Sequence, residues 1–396
     1  MNTIKAIPTN INNTYDYVFI GCGLSTATVC AKLPKNKKVL IIEKRDHFGG
    51  NVYDHKKNDI LVHQYGPHIF HTNDKEVFDF LNQFTTFNSY KNVVQAKIDD
   101  ELIPLPVNVD SIKILFPNEA EDFINYLKEK FPNQEQVTIL ELSQIDKYQH
   151  IYQTIYTRIF ASYTGKMWDK KIEDLDVSVF ARVPIYLTKR NTYFTDTYEG
   201  LPTNGYTQMV LNMLSSDNID LVLKVNITKH LQIKDNQIYI NDELITKPVI
   251  NCAPIDELFG YKYDKLPYRS LNIKFEELSK ANLQQTAVVN YPEHPSMTRI
   301  TEYKNFYPEV KNEQNTIISK EYPGAFEQNS KEFSERYYPI PNDESRERYN
   351  KYVEESKKIS NLYQLGRLAQ YRYINMDQAV RSALDFADDL IKKYEK

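Results

Sequence analysis

Glycine is scarce in this chain, 11 of 396 residues, and five of them (Gly21, Gly23, Gly49, Gly50 and Gly66) fall in the first 66 positions. Average usage is about 7%, so each glycine that remains is expected where the backbone needs one. The first pair is the most constraining. Tyr15-Asp16-Tyr17-Val18-Phe19-Ile20 reads as a short apolar strand, followed at once by Gly21-Cys22-Gly23-Leu24-Ser25-Thr26-Ala27. A helix-compatible stretch then runs to about Leu33, and a second strand over residues 38–42 ends at Glu43. Strand, glycine turn, helix, strand, with an acidic residue about 20 positions on, is the layout of a Rossmann phosphate-binding fingerprint. Gly21 permits the tight turn. Gly23 lets the amides opening the helix at Leu24 and Ser25 approach a pyrophosphate, and Glu43 would accept hydrogen bonds from a ribose. Thr26 stands where the fingerprint has its third glycine, which weakens the match.

Composition removes other classes. Hydrophobic residues make up 41% and charged ones 26%, with a net charge of −4, so no basic field points to nucleic acid. The longest apolar runs are pieces such as Val39-Leu40-Ile41-Ile42, far below the ~20 residues that span a bilayer. The first fourteen residues lack an apolar core, so no secretory signal is expected. Cys22, Cys30 and Cys252 are too few for a disulfide framework and suggest a cytoplasmic protein with reduced thiols. Cys22, inside the glycine turn, reads as packing. Thirty tyrosines reflect chiefly a coding bias toward Tyr, Asn, Lys and Ile.

After the second strand come Lys44-Arg45-Asp46-His47-Phe48-Gly49-Gly50-Asn51. An acidic residue, a basic one and a paired glycine resemble the FAD-binding flavoprotein superfamily more than NAD dehydrogenases. That superfamily returns its C-terminal segment to the flavin. Here a strand-like stretch over residues 361–365 leads into Gly366-Arg367, and after Met376-Asp377-Gln378 apolar residues recur at Ala379, Val380, Ala383, Leu384, Ala387, Leu390 and Ile391, a helical stripe. Its N-terminus would offer amides and positive dipole to the flavin. Residues 85–160 read as mostly helical, strands reappear from about residue 221, and the polar run 327–336 reads as a mobile loop. The expectation is an α/β chain: a discontinuous Rossmann-type FAD-binding domain (1–84, 197–260 and 341–396), a helical insertion (85–157) and a β-sheet substrate domain (158–196 and 261–340).

Further motifs carry a family resemblance: Tyr65-Gly66-Pro67-His68-Ile69-Phe70-His71-Thr72-Asn73, Tyr163-Thr164-Gly165-Lys166-Met167-Trp168, Arg182-Val183-Pro184, Asn191-Thr192-Tyr193-Phe194, Thr298-Arg299-Ile300, Tyr337-Tyr338-Pro339, Gly366-Arg367-Leu368 and Tyr371-Arg372-Tyr373. In order and spacing the chain resembles the prokaryotic UDP-galactopyranose mutases over nearly its whole length. The resemblance implies an isomerase that interconverts UDP-galactopyranose and UDP-galactofuranose for cell-surface polysaccharide, with no net redox change. It implies reduced FAD whose N5 attacks the anomeric carbon and expels UDP, and hence an external reductant. Arg182 and Arg299 match the two diphosphate arginines, suited by a fork that holds phosphate oxygens bidentately, and His68 matches a histidine lying against the flavin. Tyr193, Tyr338 and Tyr373 match hydroxyl donors to the diphosphate. Asn92, Phe160, Tyr163, Thr164, Trp168 and Asn290 match the nucleotide end, with Trp168 on a closing lid. For FAD the match names Gly21, Gly23, Glu43, Lys44, Gly50, Asn51, Thr72, Asn73, Val225, Arg367 and residues from Met376 through Asp377 and Gln378.

The chain also departs from that family. Asn375 stands for an aspartate, Tyr186 for an arginine, Ile159 for an aromatic near uracil, and Asp169 for a glycine after the tryptophan. These changes are expected beside the substrate rather than the FAD, with Asn375 setting substrate choice. They leave open a mutase for another nucleotide sugar, such as N-acetylgalactosamine or a deoxy sugar, or a degenerate flavoprotein scaffold. An FAD oxidase or desaturase shares the nucleotide fingerprint but leaves the two arginines unexplained. His63, His68 and His71 lack a partner cysteine or paired carboxylate, so no metal is expected. A homodimer stays open.

Overall fold

The computed structural model describes residues 1–169, 171, 183–310 and 313–394. Six parallel strands form one sheet in the spatial order Asn2–Ile4, Ile219–Val222, Val39–Ile42, Tyr17–Ile20, Val249–Asn251 and Leu362–Gln364. Tyr17–Ile20 and Val39–Ile42 are buried at every position, as unbroken apolar runs in a parallel sheet must be, because both faces are covered. On one face lie the glycine-turn helix Leu24–Lys32 and the C-terminal helix Met376–Tyr394, packed against each other. Phe19, Ala27 and Cys30 share a core there with Val380, Ala383, Leu384 and Ala387. Val18, Ile20, Leu40 and Ile42 point to the other face, which a meander of Leu231–Lys234, Gln237–Ile240 and Glu243–Ile245 covers. The expected helix stripe and strands are found, with ends shifted by one to three residues. The first fourteen residues extend this fold: Asn2–Ile4 is its edge strand, and Glu243 accepts the amides of Ile11 and Asn12.

A second sheet has seven strands in the order Tyr338–Pro339, Tyr268–Leu278, Thr316–Ala325, Arg299–Glu302, Val288–Asn290, Val94–Ile98 and Glu101–Leu105. The last two correct the reading of residues 85–160 as mostly helical. Val94–Ile98 alternates buried and half-buried positions, the period of a strand, and pairs in parallel with Val288–Asn290. Helices follow, several with side-chain caps: Asn108 and Ser111 form a capping box, as do Thr138 and Glu141, each satisfying amides that a helix start leaves free. The segment Ile155–Ala161 is a π-helix that leads into the helix Ser162–Trp168. Widening the turn there lets Ile155 and Ile159 stay in the core while Phe160 and Tyr163 are only half-buried.

The run 327–336 is tied down rather than loose. Glu335 pairs with Arg45, and Arg336, 5% exposed, pairs with Glu257 at 2.8 Å. Its polarity, which suggested a free loop, serves ion pairs with the Rossmann domain. No helix among the described residues is long and apolar enough to cross a membrane.

Candidate functional site

The glycine turn and the later glycine pair form one structure. Gly21 has φ +94° and Gly50 φ +58°, and a Cβ on Gly50 would lie 3.0 Å from the Cα of Gly23. The Gly49 amide donates to Cys22 O at 2.7 Å. The paired glycine therefore allows two backbones to touch, which side chains would prevent. Thr26 fits where a third glycine was expected because its hydroxyl donates to Gly21 O at 2.8 Å and lies 3.2 Å from Cys252 Sγ. Gly23 caps its helix without a side-chain bond, so the first amides of Leu24–Lys32 stay available to an anion.

Beside this turn opens a cavity lined by residues from both ends of the chain. Gly21, Gly23, Leu24, Ser25, Gly50, Glu43, Lys44, Asn51 and Val225 line it together with His68, Arg367, Asn375 and Met376. Glu43 does more than face a ribose. Its carboxylate accepts the Cys22 amide at 2.7 Å and the Arg45 amide at 2.8 Å, one bond per oxygen, leaving each a further acceptor site. Four residues expected at the cofactor lie outside the lining. Thr72 donates to Asp377 at 3.2 Å, Asn73 is bound to Asp196 and Thr197, and Gln378 accepts the Asn375 amide at 3.0 Å. Arg45, Glu257, Glu335 and Arg336 also line the cavity, a role hidden in sequence because the two ion pairs join residues far apart in the chain.

Beside His68 and Arg367 the second sheet brings up a polar cluster. Arg299 opposes Glu321 across neighbouring strands and donates to its carboxylate at 2.8 Å. Glu321 is 1% exposed on its side chain, and its other oxygen has no hydrogen-bond partner. Burial pushes the Glu321 carboxyl up, and Arg299 opposes that shift. Burial likewise disfavours charge on Arg299, but the Glu321 carboxylate outweighs it and holds the guanidinium charged. Tyr163, Tyr193 and Tyr338 share this neighbourhood, and burial pushes the Tyr163 and Tyr338 phenols up, so they are neutral donors. The rings of Tyr338 and Tyr373 lie 5.4 Å apart, with Arg367 over both. Tyr193 and Tyr373 expose 47% and 56% of their surface.

His68 is pushed down to about 3, first by burial and then by neighbouring His63. Its Nδ1 lies 2.8 Å from Gly66 O. A carbonyl only accepts, so Nδ1 carries the proton and Nε2 keeps a lone pair. The other histidines are engaged elsewhere: His63 accepts the His68 amide and stacks on Phe306, and His71 pairs with Asp196 and stacks on Phe194. Asn92 departs from its expected place. It is 4% exposed, with its side chain on Tyr90 and its carbonyl accepting the Tyr193 amide at 2.8 Å, so it orients Tyr193 from below. Asn290 faces Arg299 in register. Tyr163, Thr164 and Trp168 share the helix Ser162–Trp168, and Phe160 packs on the core just before it. Arg182 lies outside the described residues.

A family model described as UDP-galactopyranose mutase matches residues 158–373, and one described as an NAD(P)-binding Rossmann-like domain matches residues 20–84. A UDP-galactopyranose mutase of Mycoplasma pneumoniae is 36% identical over 98% of this chain and 100% of its own length. The chain belongs to the UDP-galactopyranose mutase family. A dTDP-fucopyranose mutase of Escherichia coli is 30% identical over 95% of this chain and 98% of its own. The crystal structure of a reduced UDP-galactopyranose mutase superposes with a TM-score of 0.65 at 16% identity, covering 97% of this chain and 95% of that one; the likeness there is of fold.

This is a family of isomerases, and its cofactor FAD fits the cradle: the Gly23–Gly50 contact and the uncapped helix start suit a dinucleotide's pyrophosphate. Three departures take on a physical sense. Asp169 has φ +55°, a conformation in which glycine is at ease and Asp is tolerated, and it faces Arg269 at 3.7 Å. Ile159 is 4% exposed and Tyr186 5% exposed, so both sit in packed interiors. Asn375 lines the cavity together with His68 and Arg367.

Proposed function

We propose that this chain interconverts the pyranose and furanose forms of a nucleotide-linked sugar, with UDP-galactose the first candidate and the furanose destined for surface polysaccharide. One observation carries the reading: a charged arginine, Arg299, and four tyrosines gather beside His68 and Arg367, where the dinucleotide cavity opens. Reduced FAD, once bound, supplies the nucleophile for the anomeric carbon, so an external reductant is required. The chain's own residues handle the charge. Arg299, with Arg182 as the second diphosphate arginine, neutralises the diphosphate as it leaves. Tyr163, Tyr193, Tyr338 and Tyr373 add hydrogen bonds without adding charge. Fixed donors lower the barrier because they need not reorganise as charge develops. His68 presents the Nε2 lone pair of a neutral ring, and Asn290, Thr164 and Phe160 hold the nucleotide end.

A second reading, another nucleotide sugar, is favoured by the dTDP-fucopyranose mutase relative. One experiment covers both. The dithionite-reduced protein is incubated with UDP-galactose, UDP-N-acetylgalactosamine and dTDP-fucose, and furanose products are followed by chromatography. Turnover by reduced and not by oxidised protein supports the reading. Equal turnover in both states, or none with any sugar, overturns it.

A further inference from the structure

Lys166 lies in the last turn of the helix Ser162–Trp168. Its ammonium donates to Tyr291 O at 2.6 Å, His294 O at 2.7 Å and Met297 O at 2.9 Å. An ammonium has three N–H bonds and no acceptor, so every donor is used. All three carbonyls belong to one turn, which leaves the strand Val288–Asn290 and re-enters the strand Arg299–Glu302; the Tyr291 amide closes it on Thr298 O at 2.8 Å. That turn joins Asn290 to Arg299. One helical turn before Lys166 sits Tyr163, electrostatically coupled to Arg299, Glu321 and Tyr338.

The surrounding charges are already matched with one another. Glu293 on the turn pairs with Arg158 of the π-helix, and Glu321 pairs with Arg299. Asp169 faces Arg269, which itself donates to Lys166 O at 3.2 Å. His294 uses Nδ1 to accept the Ser296 and Met297 amides, which shapes the turn. Among the described residues, then, carbonyl oxygens of a single turn hold the Lys166 charge. A lysine serving only as a surface charge would not need all three donors directed at one backbone segment.

We propose that Lys166 is a positioning residue for the substrate site, gripping the Asn290–Arg299 turn so that Tyr163 keeps its place opposite Arg299. The proposal rests on the mutase reading for its substrate, and a ligand-free measurement separates the two. Trp168 is the only tryptophan and lies two residues beyond Lys166, so its quenching by acrylamide reports how firmly this helix is held. In the FAD-loaded protein without substrate, Lys166→Met should raise the quenching constant at least twofold. It should weaken UDP binding, measured calorimetrically, about tenfold while FAD stays bound. Lys166→Arg, which keeps the charge but not the compact three-donor geometry, should fall between.

Unchanged quenching in Lys166→Met overturns the grip. Looser quenching with unchanged UDP affinity overturns the positioning role. Should Lys166→Met fail to fold, Lys166→Arg decides: intermediate values in both readouts support the proposal, and parental values in both overturn it. If the parent chain binds neither UDP nor dTDP, the mutase reading falls with the substrate half of the proposal, and the quenching series still decides the grip.

Discussion

Replacing Arg299 tests two roles that the structure assigns to one guanidinium. Arg299→Met keeps much of the volume but removes the charge and the 2.8 Å bond to Glu321. Glu321 would be left 1% exposed on its side chain, with one oxygen already lacking a hydrogen-bond partner. Removing one member of a buried pair costs about 3–5 kcal/mol, because the survivor's charge stays in low dielectric. Losing the diphosphate contact should cost about 3 kcal/mol of transition-state stabilisation, roughly 100-fold or more in rate. The two losses separate in a small series. In Arg299→Met both stability and turnover fall. Arg299→Met with Glu321→Gln should regain at least half the stability and none of the turnover. Arg299→Lys keeps a charge for Glu321 but not the bidentate fork, so it should be stable and slow.

The pH dependence adds a sign. In Arg299→Met the folded-state pKa of Glu321, already raised by burial, loses the cation that opposed the rise. The folded protein then holds a proton that the unfolded chain releases. The stability deficit should therefore be smallest below the usual carboxylate range and grow as pH rises through the folded pKa. Urea unfolding of the FAD-loaded proteins at pH 5 and pH 8, with furanose assays in parallel, measures all of this. Arg299→Met as stable as the parent to within about 0.5 kcal/mol, or a double variant no more stable than the single, would refute the reasoning.

Three further outcomes are expected. Gly50→Ala places a Cβ 3.0 Å from Gly23 Cα at φ +58°, costing about 1–2 kcal/mol in backbone strain alone, and FAD should separate from it on gel filtration under conditions where the parent elutes yellow. Asn375→Asp puts a carboxylate into the dinucleotide cavity and should make the flavin harder to reduce, by about 30 mV for a two-electron couple, in a dye-equilibration titration. His63, held by burial down to about 3 against an ordinary ~6.5, stays neutral while the unfolded chain takes up a proton. Its contribution to stability should thus fall by about 2 kcal/mol between pH 7 and pH 5, a slope absent from His63→Gln in paired unfolding curves.

What sequence conveyed and what it concealed divide along the range of the contacts. The glycine turn, Glu43 and the stripe from Val380 to Leu390 are local patterns, and the first sheet with its two helices follows from them. The hairpin at 94–105 is marked locally by the alternation of Val94–Ile98 and the Asp99-Asp100 turn, but its place in the second sheet depends on Val288–Asn290, nearly two hundred residues away. Asn92 looked like a ligand-facing amide, yet its burial depends on how 90–93 and 192–193 cross. The pairing of Glu321 with Arg299 depends on strand register, which sets the two opposite each other. Polarity misled at 327–336, since charged residues signal solvent only when their counter-ions are absent.

The first sheet takes its strands from residues 2–4, 17–20, 39–42, 219–222, 249–251 and 362–364. A chain emerging from the ribosome therefore holds the glycine turn early but cannot cover it, since the helix that packs on it runs from Met376 to Tyr394. Until then Ala27 and Cys30 face solvent, and the wall containing Arg367, Asn375 and Met376 does not exist. Such late, long-range closure makes for slow folding and a prolonged exposure of apolar surface. Messages cut short before residue 362 yield polypeptides that lack Gly366, Arg367, Asn375 and Met376 of the cavity lining. Yellow colour in a preparation is accordingly a measure of completed synthesis as much as of cofactor supply.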